Sequence, residues 1–184
     1  GWVLTEAEIV ERFVCASWPS IKADVEAHLG LRLPDDWEAA VEPRYRQLLA
    51  EQLLPVDGIV EALDALDLVP LATCVASSGS HEKMRFTLGR TGLYERFRGR
   101  IFSASEVARG KPGPDLFLFA AEQMGVAPRH CAVVEDSARG VAAARAAGIR
   151  VFAYAGGVTR ASKLEGPGTI LFDDMRSLPA LLGG

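Results

Sequence analysis

The chain has 184 residues, of which 49% are hydrophobic and 24% charged, and its formal net charge is −4. This length allows one domain with a sizeable core plus a small appendage, and the scattered lysines and arginines exclude a nucleic-acid-binding stripe. The longest apolar stretches are only strand-sized, and the first residues are neither basic nor continuously apolar. We therefore expect no membrane span and no secretory signal, and a cytoplasmic location.

The first part of the chain has a helical pattern. Thr5 and Glu8 form a capping box that begins one helix, and Pro19 suits the first turn of the next. Asp35 is predicted to cap a third helix, which Pro55 ends. Residues 1–55 are therefore predicted to form a small all-helical unit.

Strands and helices alternate in the rest of the chain. The predicted strands are residues 71–76, 100–102, 131–134, 151–154 and 169–172, and the predicted helices are residues 59–66, 80–92, 114–124 and 137–147. This alternation indicates right-handed crossovers and a parallel sheet with helices on both faces. Residues 56–184 are therefore predicted to form an α/β core domain.

The cysteines number three, an odd count without a CxxC spacing: Cys15, Cys74 and Cys131. Cys74 and Cys131 lie inside apolar strand patterns, where a thiol usually acts as a small buried hydrophobe. We predict structural thiols.

A short polar loop follows the first predicted strand, with the sequence Ser77-Ser78-Gly79-Ser80. These small residues are typical of a turn with a helix N-cap. The same geometry directs backbone N–H groups and a helix N-terminus at an anion, with the Ser77 hydroxyl as a further donor. Both interpretations remain open for this segment alone.

Lys111 lies in the stiff segment Gly110-Lys111-Pro112-Gly113-Pro114. A lone lysine is usually solvated, but flanking prolines reduce the entropy lost in holding its ammonium group in place. A fixed ammonium can neutralise the charge that develops during phosphoryl transfer.

Glu135 and Asp136 follow the apolar run Cys131–Val134 and precede a helix. Two adjacent carboxylates repel each other unless a cation or hydrogen bonds compensate, and oxygen-only ligation beside a phosphate favours Mg²⁺. The alternative is that Asp136 simply caps the following helix.

Taken together, the three segments resemble the motifs of the haloacid dehalogenase-like hydrolase superfamily, in the helical-cap branch that includes beta-phosphoglucomutase and sugar-phosphate phosphatases. Ser77 matches the second motif, Lys111 in Gly-Lys-Pro-x-Pro-Asp the third, and Glu135-Asp136 in Glu-Asp-Ser-x-x-Gly the fourth. The resemblance implies a Rossmann-like core and a helical cap over residues 1–55, incomplete at its N-terminus, with Gly58 near the return from cap to core.

The resemblance also implies a mechanism. An aspartate of an Asp-x-Asp motif takes the phosphoryl group, and a second aspartate acts as general acid and base. Ser77, Ser78, Gly79, Ser80 and Lys111 would bind the phosphate, with Ser77 and Lys111 serving catalysis, and Glu135 and Asp136 would hold Mg²⁺. No aspartate pair of this chain follows a suitable first strand; the pairs available are Asp35-Asp36, Asp64 with Asp67, and Asp173-Asp174.

The opening residues Gly1–Thr5 resemble the middle of the cap, so the first strand of the sheet and the first cap helix are expected to be absent. That strand would lie between the strands that end near Ser77 and Glu135, which would otherwise carry unpaired backbone groups. We expect that the sequence is part of a longer protein, or that a separate segment fills the gap, and that the chain alone is inactive.

The resemblance favours a Mg²⁺-dependent phosphatase of a small phosphorylated metabolite, such as a sugar phosphate, in a monomer or weak dimer. Ala16 stands where an arginine is common in relatives, which weakens the alternative of a beta-phosphoglucomutase-like mutase. Arg44 and Arg46 lie on a cap helix, where they would face either solvent or an anionic substrate. A non-catalytic phosphate- or partner-binding relative is the rival from another class.

Overall fold

A computed structural model describes residues 2–13, 16 and 18–183 of the chain. The chain divides into two compact units, Gly1–Leu54 and Pro55–Gly184, which we call unit 1 and unit 2. No helix in this described part has the length and apolar character needed to cross a bilayer.

Unit 1 consists of helices α1 (Glu6–Phe13), α2 (Trp18–Leu29) and α3 (Trp37–Gln52). The predicted capping box before α1 is present: Glu8 accepts from the Thr5 N–H at 2.9 Å, and the Glu8 N–H donates to Thr5 Oγ1 at 3.3 Å. These reciprocal bonds satisfy two N–H groups that the first helical turn leaves without partners.

The predicted cap of α3 was wrong. Asp36, not Asp35, is the N-cap, and its side chain makes no capping hydrogen bond. The Trp37 N–H donates instead to the Pro34 carbonyl at 3.1 Å. Because this turn serves the first helical N–H, the Asp35 carboxylate is left exposed, 3.9 Å from Lys22 Nζ.

Aromatic contacts hold unit 1 together. Trp18 packs edge-on against Trp37 and Tyr45, with ring centroids 5.7 and 5.6 Å apart. Trp2 stacks on His28 at 3.7 Å. These contacts join α2 to α3 and to the segment before α1, in a unit too small for a large aliphatic core. Val14, Cys15 and Ser17 lie outside the described residues.

Unit 2 alternates strands and helices, as predicted. Its strands are β1 (Val75–Ser77), β2 (Ile101–Ser103), β3 (Ala132–Glu135), β4 (Arg150–Tyr154) and β5 (Thr169–Phe172). Its helices are α4 (Ile59–Leu66), α5 (His81–Arg90), α6 (Tyr94–Phe97), α7 (Asp115–Gln123), α8 (Ala138–Ala146), α9 (Ala161–Leu164) and α10 (Leu178–Gly183). Single 3₁₀ turns cover Ala104–Glu106, Pro128–His130 and Met175–Ser177. The predicted α/β class is confirmed.

Every strand pair described is parallel. β1 pairs with β2, with Ser77 opposite Ser103, and β4 pairs with both β3 and β5, with Glu135 opposite Ala153. Within the described residues, no strand hydrogen bonds join these two sheets, whereas the sequence predicted one sheet. The family resemblance places an additional strand between β1 and β3, and without it these strands were expected to carry unpaired backbone groups.

The core continues across this break. Val133 of β3 and Phe117 of α7 belong to one buried cluster, and Ala76 of β1 packs against it. Ala76 also contacts the cluster around Phe102 of β2. Side-chain packing therefore holds the two sheets on a common core.

The two cysteines in unit 2 fit their predicted structural role. Cys74 and Cys131 are free thiols and partly buried. Burial raises the pKa of both thiols, so the reactive thiolate is disfavoured. Cys15 lies outside the described residues.

Candidate functional site

A buried ion pair joins two distant motifs. Lys111 Nζ donates to Glu135 Oε2 at 2.6 Å, and the two side chains are 8% and 7% exposed. Glu135 is the last residue of β3, and Lys111 lies in the loop before α7. Either charge alone would carry a large desolvation cost in this position, so each requires the other.

The loop around Lys111 is closed by its own contacts. The Gly113 N–H donates to the Gly110 carbonyl at 2.9 Å. Arg109 forms a two-pronged ion pair with Asp115, at 3.1 and 2.8 Å. The Lys111 ammonium also lies 4.7 Å from the centre of the Phe117 ring, a favourable cation–π contact. Lys111 is therefore held by a rigid frame.

The second carboxylate oxygen of Glu135 also accepts hydrogen bonds. Glu135 Oε1 accepts from Ser137 Oγ at 2.7 Å, from the Ser137 N–H at 3.1 Å and from the Asp136 N–H at 3.2 Å. Burial alone would raise the pKa of Glu135, but the Lys111 ammonium and the Ser137 hydrogen bonds outweigh it and hold that pKa below its ordinary value. Glu135 is therefore ionised at neutral pH.

Ser137 and Gly140 fit the start of α8 around this carboxylate. Ser137 is the N-cap and accepts from the Gly140 N–H at 3.0 Å. The interpretation of Asp136 as the helix cap was therefore wrong. Gly140 is in close contact with Glu135, because a methyl group on its α-carbon would lie 2.0 Å from Glu135 Cδ. The glycine in this motif is required by that close approach.

The Asp136 carboxylate has no ion-pair partner among the described residues, whereas Glu135 pairs with Lys111. The residue is exposed, but protein surrounds part of its carboxyl group. This partial desolvation and the adjacent Glu135 carboxylate raise the pKa of Asp136 above its ordinary value. Oδ2 would lie 3.9 Å from a β-carbon built on Gly157, so the loop after β4 runs beside it.

These residues fit a divalent cation through Asp136. Its carboxylate, which forms no ion pair among the described residues, is the hard oxygen donor that Mg²⁺ prefers, and a cation there would relieve the repulsion from Glu135. Both oxygens of Glu135 are engaged by Lys111 and Ser137. Across the described residues there is no cluster of three or more His, Cys, Asp or Glu side chains able to share a metal ion.

The Ser77–Ser80 loop connects β1 to α5. The Gly79 N–H donates to Ser77 Oγ at 3.2 Å, which leaves the Ser77 hydroxyl hydrogen to serve as a donor. Ser80 caps α5, as predicted, by accepting from the Lys83 N–H at 3.2 Å. A serine donor beside the N-terminus of a ten-residue helix suits an anion.

The structure brings Lys111, Glu135 and Asp136 into one cluster. The hydrogen bonds of the Ser77–Ser80 loop run instead within the loop, into α5, and to Ser103 at the end of β2. The motif Glu-Asp-Ser-x-x-Gly includes Ser137 and Gly140. Its spacing did not predict their role, because close packing around a carboxylate cannot be derived from spacing. Ser103 and Glu106 were missed, although their Ser-x-x-Glu spacing matches a capping box, which is present here.

Comparison with known proteins identifies the class. A family profile described as haloacid dehalogenase-like hydrolase matches residues 4–148. The chain belongs to this family of hydrolases, as its three motifs predicted.

Two solved structures and one curated protein illustrate the similarity. A haloacid dehalogenase-like protein of unknown function from Agrobacterium tumefaciens is 33% identical, with a TM-score of 0.80 over 100% of this chain and 84% of that one. A family hydrolase from Deinococcus radiodurans, with bound phosphate and sodium, is 28% identical, with a TM-score of 0.77 over 100% of this chain and 83% of that one. The 6-phosphogluconate phosphatase of Escherichia coli is 28% identical over 84% of this chain and 69% of its own length. The chain spans about half the length of other curated relatives.

Proposed function

We propose that the intact protein is a Mg²⁺-dependent phosphatase of a small phosphorylated metabolite, with a sugar phosphate as the preferred class of substrate. The observation that carries this proposal is the buried Lys111–Glu135 pair beside the Asp136 carboxylate, whose pKa burial and Glu135 raise. A held ammonium and a carboxylate that needs a cation are the groups that bind a phosphoryl group together with a metal. The 6-phosphogluconate phosphatase activity named for one relative and the phosphate bound to another support it.

In this proposal Lys111 binds the phosphoryl oxygens. An ammonium has three N–H donors, and Glu135 takes one of them, so the others can reach an anion. Glu135 holds the lysine ammonium in place, while Asp136, with Glu135 beside it, would hold Mg²⁺. When bound, Mg²⁺ would neutralise charge on the transferring group.

The loop after β1 forms the other half of the proposed phosphate site. The Ser77 hydroxyl donates to one oxygen, and the backbone N–H groups of Ser78, Gly79 and Ser80 add the partial positive charge of a helix N-terminus. Such donors are effective because they are already oriented when charge develops.

The nucleophile in the proposal is an aspartate outside these 184 residues, on a strand between β1 and β3. The attacking carboxylate oxygen would form a bond to phosphorus as the bond to the alcohol oxygen breaks, and water would then release inorganic phosphate. The break between the two sheets supports this placement. Unit 1 would act as the cap that excludes water, in a cytoplasmic monomer or weak dimer.

The test uses protein expressed from its complete coding sequence. Phosphate release is measured from a panel of sugar phosphates and one aryl phosphate, with Mg²⁺ or with EDTA. Lys111→Ala and Asp136→Asn should each abolish turnover, whereas Glu95→Ala, in the exposed Arg98 pair, should not. Near-normal rates in both site variants would overturn the proposal. An isomeric sugar phosphate as product would indicate a mutase, and phosphate binding without turnover would indicate a non-catalytic relative.

A further inference from the structure

Ser103, at the end of β2, forms a hydrogen bond with the Ser77–Ser80 loop. It is fully buried, at 0% exposure. Its hydroxyl donates to the Gly79 carbonyl at 2.7 Å and accepts from the Ser105 N–H at 3.2 Å and Ser105 Oγ at 2.9 Å. The Ser103 hydroxyl thus acts both as a donor and as an acceptor. Its bond to Gly79 joins two residues that lie 24 positions apart in the sequence.

Glu106 adds a second connection between the same segments. One of its oxygens, Oε2, accepts from the Ser103 N–H at 2.7 Å and from His81 Nε2 at 2.9 Å. Because an ionised carboxylate only accepts, His81 Nε2 carries the hydrogen, and the bond forms whether the imidazole is neutral or charged. The Ser103 N–H, with the His81 contact, holds the pKa of Glu106 below its ordinary value despite a small opposing effect of burial.

These bonds control the direction of a peptide group in the loop. The carbonyl of Gly79 points at Ser103, and in a trans peptide the following N–H points the opposite way. The Ser80 N–H is therefore directed away from β2. His81, the first residue of α5, is held at the same time, so the loop is restrained at both its middle and its end.

We propose that Ser103 and Glu106 are positioning residues that keep the Ser77–Ser80 loop in the geometry needed to bind a phosphoryl group. The inference rests on the proposed function. Neither side chain touches the substrate; each acts through the loop. Donors that are already oriented stabilise a transition state most effectively, and displacement by about 1 Å can reduce a rate by about 100-fold.

The test compares Glu106→Ala and Glu106→Gln in the full-length protein. One oxygen of Glu106 takes both hydrogen bonds, so the amide oxygen of glutamine can replace it, whereas alanine cannot. We expect kcat/KM to fall by about 10- to 100-fold in the alanine variant and by less than about threefold in the glutamine variant. Glu95→Ala, which removes another exposed ion-pair carboxylate of unit 2, is the matched control.

Amide hydrogen exchange over residues 77–81 gives a readout that does not depend on activity. It should be about tenfold faster in Glu106→Ala than in the wild type, while the Tm stays within a few degrees. A merely structural role would lower the Tm together with kcat/KM.

Two failures are distinguishable. If the wild type releases phosphate and Glu106→Ala matches it in both exchange and kcat/KM, the positioning role is wrong and the proposed function stands. If the wild type neither binds inorganic phosphate nor hydrolyses any ester of the panel, the proposed function and this inference are both overturned, whatever the exchange rates show.

Discussion

Glu135 and Gly140 are packed so closely that a methyl group added to Gly140 would lie 2.0 Å from Glu135 Cδ and 2.1 Å from Oε2. Glu135 is unable to retreat without leaving Lys111 and Ser137, which hold both of its oxygens. The motif glycine therefore determines where the carboxylate can lie.

Gly140→Ala should consequently lower the free energy of unfolding by about 3 kcal/mol, since it overpacks a buried site. It should also reduce turnover, because Glu135 moves away from Lys111. Urea denaturation and phosphate release measure the two effects. Gly89→Ala, in α5 with open space around it, is the control and should stabilise by up to about 1 kcal/mol. A Gly140→Ala variant as stable as the wild type would contradict the close contact.

Lys111 and Glu135 should behave as a coupled pair. Lys111→Met and Glu135→Gln each leave one buried charge alone and should each cost about 3 to 5 kcal/mol of unfolding free energy. The double variant removes both charges, so it should recover most of that stability while remaining inactive. Urea denaturation of all four proteins gives the coupling energy. If the loss of unfolding free energy in the double variant equals the sum of the two single losses, the two charges do not stabilise each other.

Asp136→Asn should abolish the stabilisation of the protein by Mg²⁺ without lowering its stability in the absence of metal. Without metal, the variant should be at least as stable as the wild type, because a carboxylate repelled by Glu135 has been neutralised. With Mg²⁺, the Tm of the wild type should rise and that of the variant should not, since a cation stabilises only the protein that binds it. Thermal melts with Mg²⁺ and with EDTA provide the measurement, with Asp24→Asn as a surface control. If Mg²⁺ raises the Tm of Asp136→Asn as much as it raises that of the wild type, Asp136 does not bind the metal.

Acid should weaken the contact between Asp57 and Arg176. The Arg176 hydrogen bonds, at 2.9 Å, hold the pKa of Asp57 below its ordinary value of 3.8. A lowered folded-state pKa means that the stabilisation is present above the unfolded-state pKa and is lost as the pH falls through the folded-state value. Arg176→Gln should therefore be less stable than the wild type at about pH 6, and the difference should shrink below about pH 4.

Urea denaturation at several pH values checks this prediction. Arg98→Gln, which breaks an exposed pair within α6 and its C-cap, should show little stability difference at any pH. If the difference between Arg176→Gln and the wild type is constant down to about pH 2, titration of Asp57 is not its origin.

Most of the fold could be predicted because its elements have strong local signals. The Thr5–Glu8 capping box, the Ser80 cap and the strand before Glu135 are all present where the pattern indicated. The short helices α6 and α9 were not predicted, because four residues cannot show a helical period. The division into two sheets agrees with the expectation that the strand between those ending near Ser77 and Glu135 is absent.

The site was predictable only in its residue types. Three motifs indicated a serine, a lysine and two carboxylates, and the ends of strands indicated where they lie. The sequence did not predict that Lys111 bonds Glu135 directly, or that Ser103 holds the Gly79 carbonyl. Both contacts depend on side-chain rotamers and on the packing between separate elements.

Ser137 has one consequence for redesign. The same hydroxyl donates to Glu135 Oε1 and accepts a hydrogen bond from the Gly140 N–H in the first turn of α8. Folding of this helix and the electrostatics of the charged cluster therefore share a single atom. A combinatorial library that randomises positions 135–140 would yield few folded members, so diversity intended to change selectivity belongs at other positions.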